Sequence, residues 1–175
     1  MRTNMKVRSG FVSNSSSSSF ILALPKHLKS VEDVKSVLFP QKYYPDGIVY
    51  AYYDTEQYSV DEVAQCIFNT LSCKDKDVIG EFVGIPGSMY DVVSSMMGQS
   101  PAFDDINNAK AIDEYYEKMQ DVESTLSNVM CDQFVKLHPN CYFYVGKFAD
   151  DTNMQSTIEH GNIFDNVPHI KISHH

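Results

Sequence analysis

The sequence predicts a layered fold of the α/β or α+β class, with a single mixed sheet of about four to five strands packed with helices, one of them long and in the C-terminal half. Three observations predict it. Aromatic and β-branched runs of strand length alternate with stretches whose apolar residues recur at helical spacing. Proline, glycine and capping residues punctuate the boundaries between them. Apolar residues make up 43% of the 175-residue chain and charged residues 21%, enough for a single globular domain over 1–175 to close a core.

The first strand is the apolar run Phe20-Ile21-Leu22-Ala23-Leu24, entered directly from the serine run Ser15 to Ser19 and ended by Pro25. The serines lie between apolar stretches, since Phe11 and Val12 precede them, and so differ from a flexible linker. The segment is therefore expected to be ordered, with Ser15, Ser17 and Ser19 on one face and Ser16 and Ser18 on the other. Ser30 caps a short helix with Val31, Val34, Val37 and Leu38 on its core face, stopped by Pro40. Tyr43-Tyr44-Pro45-Asp46-Gly47 is turn chemistry, and Ile48 to Tyr53 reads as a strand.

Ser59 and Glu62 form a capping box ahead of Val60, Val63, Ala64, Ile67, Phe68 and Leu71, the best-signalled helix of the chain. Lys74 to Asp77 reads as a charged turn, and Val78 to Ile85 as a weaker strand interrupted by Gly80 and Gly84. Ser88 is placed to cap a helix carrying Met89, Val92, Val93, Met96 and Met97, closed by Gly98 and Pro101. From Asn108 to Leu137 runs a long helical pattern through Ile112, Tyr115, Met119, Val122, Leu126 and Val129. Its phase then drifts to Met130, Phe134 and Leu137, which predicts a break near Ser124–Asn128. Cys141 to Phe148 is apolar on both faces and reads as a central strand. A loop at Asp150-Asp151-Thr152-Asn153 leads to a short helix ending at Glu159-His160, with Gly161 as C-cap. Pro168 to His175 closes as a strand that sends His169, Lys171, Ser173 and His175 to one face. The strand–Asp-Thr–helix order at Val49–Glu56 returns at Val145–Asn153, but two approximate copies do not make a repeat architecture.

The formal net charge is −9. That argues against nonspecific binding to nucleic acid, which needs clustered Lys and Arg; a protein partner fits the acidity better. The N-terminal apolar run is too short for a signal h-region or a membrane span, so no membrane association and a cytoplasmic location are expected. Cys66, Cys73, Cys131 and Cys141 contain no C-x-x-C pair, and free thiols are the expectation.

Two stretches carry a resemblance: Arg8-Ser9-Gly10-Phe11-Val12-Ser13-Asn14-Ser15 through Phe20, and Glu159-His160-Gly161 with Pro168-His169-Ile170-Lys171-Ile172-Ser173-His174-His175. In them the chain resembles small uncharacterised proteins of bacteriophages and bacteria with this serine-rich opening and Pro-His … Ser-His-His close. The resemblance implies a phage or bacterial setting, the host cytoplasm if phage-encoded, and implies that His174-His175 is native sequence. It carries over no catalytic residue.

Four groups of residues are candidate sites. Ser15, Ser16, Ser17, Ser18 and Ser19 could hold a phosphate through hydroxyls and main-chain N–H groups, although they precede a strand and lack the Gly-x-x-x-x-Gly-Lys-Ser/Thr pattern of a P-loop. His160, His169, His174 and His175, with Asp150 or Asp151, could ligate a divalent metal, without any H-x-H or H-E-x-x-H spacing. Asp54, Asp150 and Asp151 could hold Mg²⁺ against a phosphate if their strands were parallel neighbours. Tyr43, Tyr44, Tyr52 and Tyr53 offer a partner-contact surface. Cys66, on the boundary of a helix face, and Cys141, at the start of a buried strand, lack the helix N-terminus that would activate a thiol. No complete catalytic constellation emerges and the sequence leaves open whether the protein is an enzyme. Two readings follow: a small accessory protein that binds a macromolecular partner without a cofactor, and a metal-assisted phosphoesterase or nucleotide-processing enzyme.

Overall fold

The computed structural model describes residues 17–52, 55–82, 84–86, 89–98, 109–149 and 151–173. Its centre is strand β1 (Ser17–Leu24), all eight residues of which are buried. β1 pairs antiparallel with β5 (Tyr142–Ala149), from Ser17 opposite Ala149 to Leu24 opposite Tyr142. On its other side it pairs antiparallel with β6 (His169–Ser173), from Ser18 opposite Ser173 to Leu22 opposite His169. A short strand β4 (Ser72–Lys74) adds to the far side of β5, giving the order β4-β5-β1-β6. The fold is α+β: this four-stranded sheet is wholly antiparallel, and a separate two-stranded ribbon joins β2 (Ile48–Tyr50) to β3 (Gln57–Ser59).

Alternation along β1 divides the core. Phe20, Leu22 and Leu24 point to one face, where they meet Tyr144 and Phe148 of β5. Three helices cover that face: α1 (Val31–Leu38) through Val34 and Leu38, α2 (Val60–Thr70) through Val63, Ala64 and Ile67, and α5 (Asn153–His160) through Ile158. Ile21 and Ala23 point to the other face and pack with Phe143, Cys131, Phe134 and Ile79. Each large side chain fully buried in this way contributes about 1.5–3 kcal/mol. The caps at Ser30 and Ser59 sit where the sequence puts them, whereas the helix over Tyr90–Met97 has Met89 at its N-cap without a side-chain bond, and the expected cap Ser88 lies outside the described residues. The Ser30 hydroxyl accepts from Asp33 N–H, and Ser59 and Glu62 complete a reciprocal capping box. Thr152 accepts from Gln155 N–H at the head of α5.

The long helix α4 (Ala109–Leu137) runs through 29 residues, and the break predicted near Ser124–Asn128 does not occur. The phase drift has another cause: the helix serves two partners in succession. Tyr115, Met119, Val122 and Leu126 pack with Val93 and Met97 of α3 (Tyr90–Met97). One turn further on, Met130, Cys131, Phe134 and Val135 turn to the sheet. The polar residues between them dock a neighbouring turn, for Ser127 is buried and its hydroxyl donates to the Gly80 carbonyl at 3.2 Å. That turn is a 3-10 segment, Ile79–Phe82, where the apolar pattern had predicted a strand. Gly80 lies so close to α4 that an added Cβ would fall on the Asn128 amide and 3.1 Å from Asn128 Cα. Close backbone approach to a helix, rather than strand pairing, explains the glycine.

Candidate functional site

The feature that best joins exposed chemistry to a concave shape lies where the β2–β3 ribbon meets the end of α5. Tyr43 to Gly47 form the turn expected from their composition. Gly47 N–H bonds the Tyr44 carbonyl at 3.1 Å, and Gly47 takes the left-handed backbone angle, φ +68°, open to a residue without Cβ. Across from this turn, α5 ends at Gly161 with its N–H on the Thr157 carbonyl, and the chain turns back through Asn162 and Ile163. Between the two lies a cleft of about 290 Å³, with Tyr43, Tyr50 and Asp46 on one wall and Thr157, Gly161 and Asn162 on the other.

The ribbon presents an open edge to this cleft. Ala51 N–H bonds the Glu56 carbonyl (3.0 Å) and Val60 N–H bonds the Gly47 carbonyl (2.9 Å), which fixes the orientation of the strand. Gly47, Val49 and Ala51 thus direct their main-chain groups at β3, and Ile48, Tyr50 and Tyr52 direct theirs away from it. Two of those outward N–H groups are capped by side chains: Ile48 by Asp46 Oδ1 and Tyr52 by Thr157 Oγ1, each at 3.2 Å. Tyr50 lies between them, and among the described residues no strand pairs with this edge.

Aromatic rings and carboxylates surround the edge. Tyr43, Tyr50 and Tyr52 are each more than half exposed, whereas Tyr44 is half-buried against Phe39 with ring centroids 5.1 Å apart. Burial, and then the charge of Asp165, push the Tyr44 phenol above its usual range. The Lys42 ammonium lies 5.1 Å from the Tyr43 ring centroid, so this surface already receives one cation from within the chain. Tyr52 stacks on His160 at 5.1 Å. The Glu56 carboxylate accepts from Tyr58 OH (2.6 Å) and Asn153 Nδ2 (3.2 Å), tying the ribbon to α5.

Comparison with family models, with curated proteins and with solved structures finds no match.

Of the other residues singled out in the sequence, Ser17, Ser18 and Ser19 are buried in β1. Ser18 donates to Oε1 of Glu159 at 2.9 Å. A carboxylate beside that hydroxyl disfavours a phosphate there. Ser15 and Ser16 lie outside the described residues. His160 faces Tyr52 and has its Nε2 3.8 Å from Glu159 Oε2, while His169 Nδ1 lies 3.0 Å from the Val167 carbonyl. Asp151 is an exposed turn residue. Among the described residues no group of three or more His, Cys, Asp or Glu side chains converges as a metal would require. Asp54, Asp150, Tyr53, His174 and His175 lie outside the described residues. The strands that lead to Asp54 and Asp150 are not the parallel neighbours that a shared Mg²⁺ site presupposed: β2 belongs to the small ribbon and β5 to the antiparallel sheet. Among the described residues no helix is long and apolar enough to cross a membrane.

Sequence reasoning missed Glu159, whose side chain is fully buried. Its backbone carbonyl also accepts from Lys171 Nζ at 2.6 Å, so α5 is fastened to both β1 and β6. A charge in the last turn of a short helix ordinarily faces solvent, and no local signal marks this one. Asn162 and Gly161 were likewise invisible as cleft residues, because only the fold brings them to Tyr43 and Tyr50.

Proposed function

We propose that this is a binding module that takes an extended, basic segment of a protein partner along the open edge of β2. One observation carries the reading: outward main-chain groups of β2 lie at a cleft lined by the exposed Tyr43 and Tyr50 and by the carboxylate of Asp46. An extended peptide gains affinity by adding main-chain hydrogen bonds to such an edge, and alternate side chains then supply specificity. A Lys or Arg side chain of the guest would lie over the Tyr50 ring, a contact worth about 0.5–1 kcal/mol at an exposed site, while Lys42 already occupies Tyr43. Asp46 supplies complementary charge in the cleft, and the net charge of −9 favours a basic partner over nucleic acid. An accessory role in a phage or bacterial setting is what the resemblance of the two termini implies for such a module.

The test is amide chemical-shift mapping with a synthetic extended peptide of alternating Lys and Val, against a Glu–Val peptide of equal length. Saturable shifts centred on Ile48, Tyr50, Tyr52 and Asn162 are expected for the basic peptide alone, weakening as salt is raised. Tyr50→Pro removes the outward N–H while leaving the bonds to β3 in place, and should abolish the shifts without unfolding the ribbon. Shifts located elsewhere, equal shifts with the acidic peptide, or full binding by Tyr50→Pro would each overturn the proposal.

A further inference from the structure

A second cavity, of about 180 Å³, opens at the other end of the sheet and is lined by His27, Leu28, Phe68, Leu71, Cys73 and Tyr144. Its polar groups converge on one hydroxyl. Tyr144 is buried, but its phenol oxygen accepts from Leu28 N–H at 2.7 Å and lies 2.5 Å from His27 Nδ1. In the tautomer whose Nδ1 accepts the Tyr144 proton, the phenol oxygen keeps a second lone pair beside the one that takes Leu28 N–H. The His27 ring is exposed and is held by stacking on Tyr142 at 5.4 Å, with an interplanar angle of 18°. Directly opposite Tyr144 in the β4–β5 register is Cys73. Of the four cysteines it alone is exposed. Burial pushes the Tyr144 phenol up to about 12, with the Leu28 N–H acting the other way and the neighbouring Cys73 thiol adding to the rise. Tyr144 therefore stays a neutral hydroxyl at physiological pH, able to accept one proton as it releases another.

We propose that Cys73 is a nucleophilic thiol whose proton is relayed through the Tyr144 hydroxyl to His27, and that the cavity takes a small activated acyl group. The apolar walls, Leu28, Phe68 and Leu71, suit the hydrocarbon part of such a substrate. In the step, the Cys73 S–H proton passes to the Tyr144 oxygen as the Tyr144 proton passes to His27 Nδ1. Sulfur attacks the acyl carbon, an S–C bond forms, and the bond to the leaving group breaks with its electron pair. The proton held on His27 returns by the same path to the departing group. The other cysteines are poor competitors. Burial pushes the Cys66 thiol up and the Cys131 thiol up to about 11, and neither Cys131 nor Cys141 is exposed. Cys73 touches the substrate; Tyr144 is the relay, and His27 acts through it.

The test is acylation of the full chain by p-nitrophenyl acetate at neutral pH, followed by released nitrophenolate and by mass spectrometry of the modified peptide. Modification at Cys73 is expected, at least about a hundredfold faster than in the urea-unfolded chain, the lower end of what a positioned base supplies. Tyr144→Phe should slow it by about a hundredfold, as should His27→Ala. Added imidazole should restore the His27→Ala variant but not Tyr144→Phe, a rescue that a purely structural role for His27 would not show. If Tyr144→Phe fails to fold for want of a partner for Leu28 N–H, the His27→Ala and rescue arms decide the matter. A Cys73 rate within twofold of the unfolded chain, or a His27→Ala rate equal to wild type, would overturn the relay.

Discussion

Replacing Ser18 by Ala isolates what the serine run contributes to the folded state. The Ser18 side chain is fully buried in the inner strand, and its hydroxyl donates at 2.9 Å to a Glu159 carboxylate that is itself buried. A hydrogen bond to a charged group of this kind is worth about 1.5–3 kcal/mol, and the acceptor cannot turn to water when the donor is lost. The methyl group fills nearly the same space, so no cavity term is added. A loss of about 2 kcal/mol is therefore expected, read as a fall of about 1 M in the urea midpoint for a slope near 2 kcal/mol/M. Ser36→Ala is the control: its exposed hydroxyl bonds the Asp33 carbonyl within the same helix, and a change within about 0.5 kcal/mol is expected. A double-mutant cycle with Glu159→Gln then apportions the effect between the two partners. Equal midpoints for Ser18→Ala and Ser36→Ala, or a coupling below about 0.5 kcal/mol, would refute the assignment of β1's serines to a buried polar clasp.

Two further outcomes follow from the geometry. Gly80→Ala should lower stability by about 1–3 kcal/mol in the same denaturant assay, because the added Cβ meets Asn128 and the 3-10 turn must lift from α4. Asp33 is held at about 2, below its usual 3.8, by the Lys26 ammonium first and the Lys29 N–H second. Since the folded value is the lower one, the stabilisation from Asp33 is complete above the unfolded value and is lost as pH falls from about 3.8 toward 2. Carboxyl NMR should find its midpoint near 2, and Lys26→Gln should move it back toward 3.8.

The fold was legible wherever local chemistry and tertiary packing agree. Ser30 and Ser59 open their helices because a side-chain oxygen satisfies the same orphan N–H in sequence and structure alike. Phe20 to Leu24 and Cys141 to Phe148 are apolar on both faces, and β1 and β5 are the two inner strands. The three-residue strands β3 and β4 left no periodic trace. Ser72-Cys73-Lys74 is extended because β5 offers it an edge, not because its residues favour a strand. Val78 to Ile85 misled for the converse reason, since its buried residues Ile79 and Ile85 pack with residues of α4 rather than in a ladder. At the candidate sites, the tyrosine cluster was visible as composition. The Tyr50 edge needed the register of β2, and the pairing of His27 with Tyr144 spans a separation of 117 positions that no local pattern could reveal.

The placement of β1 has a consequence for how this chain comes into being. Its hydrogen-bonding partners begin at Tyr142 and His169, so the strand emerges from the ribosome long before either flank exists. At about 5–20 residues per second, that leaves an oily segment without neighbours for on the order of ten seconds. Maturation must therefore wait for translation of the far end, and a nascent chain stalled before Tyr142 would be a natural client for a holdase chaperone.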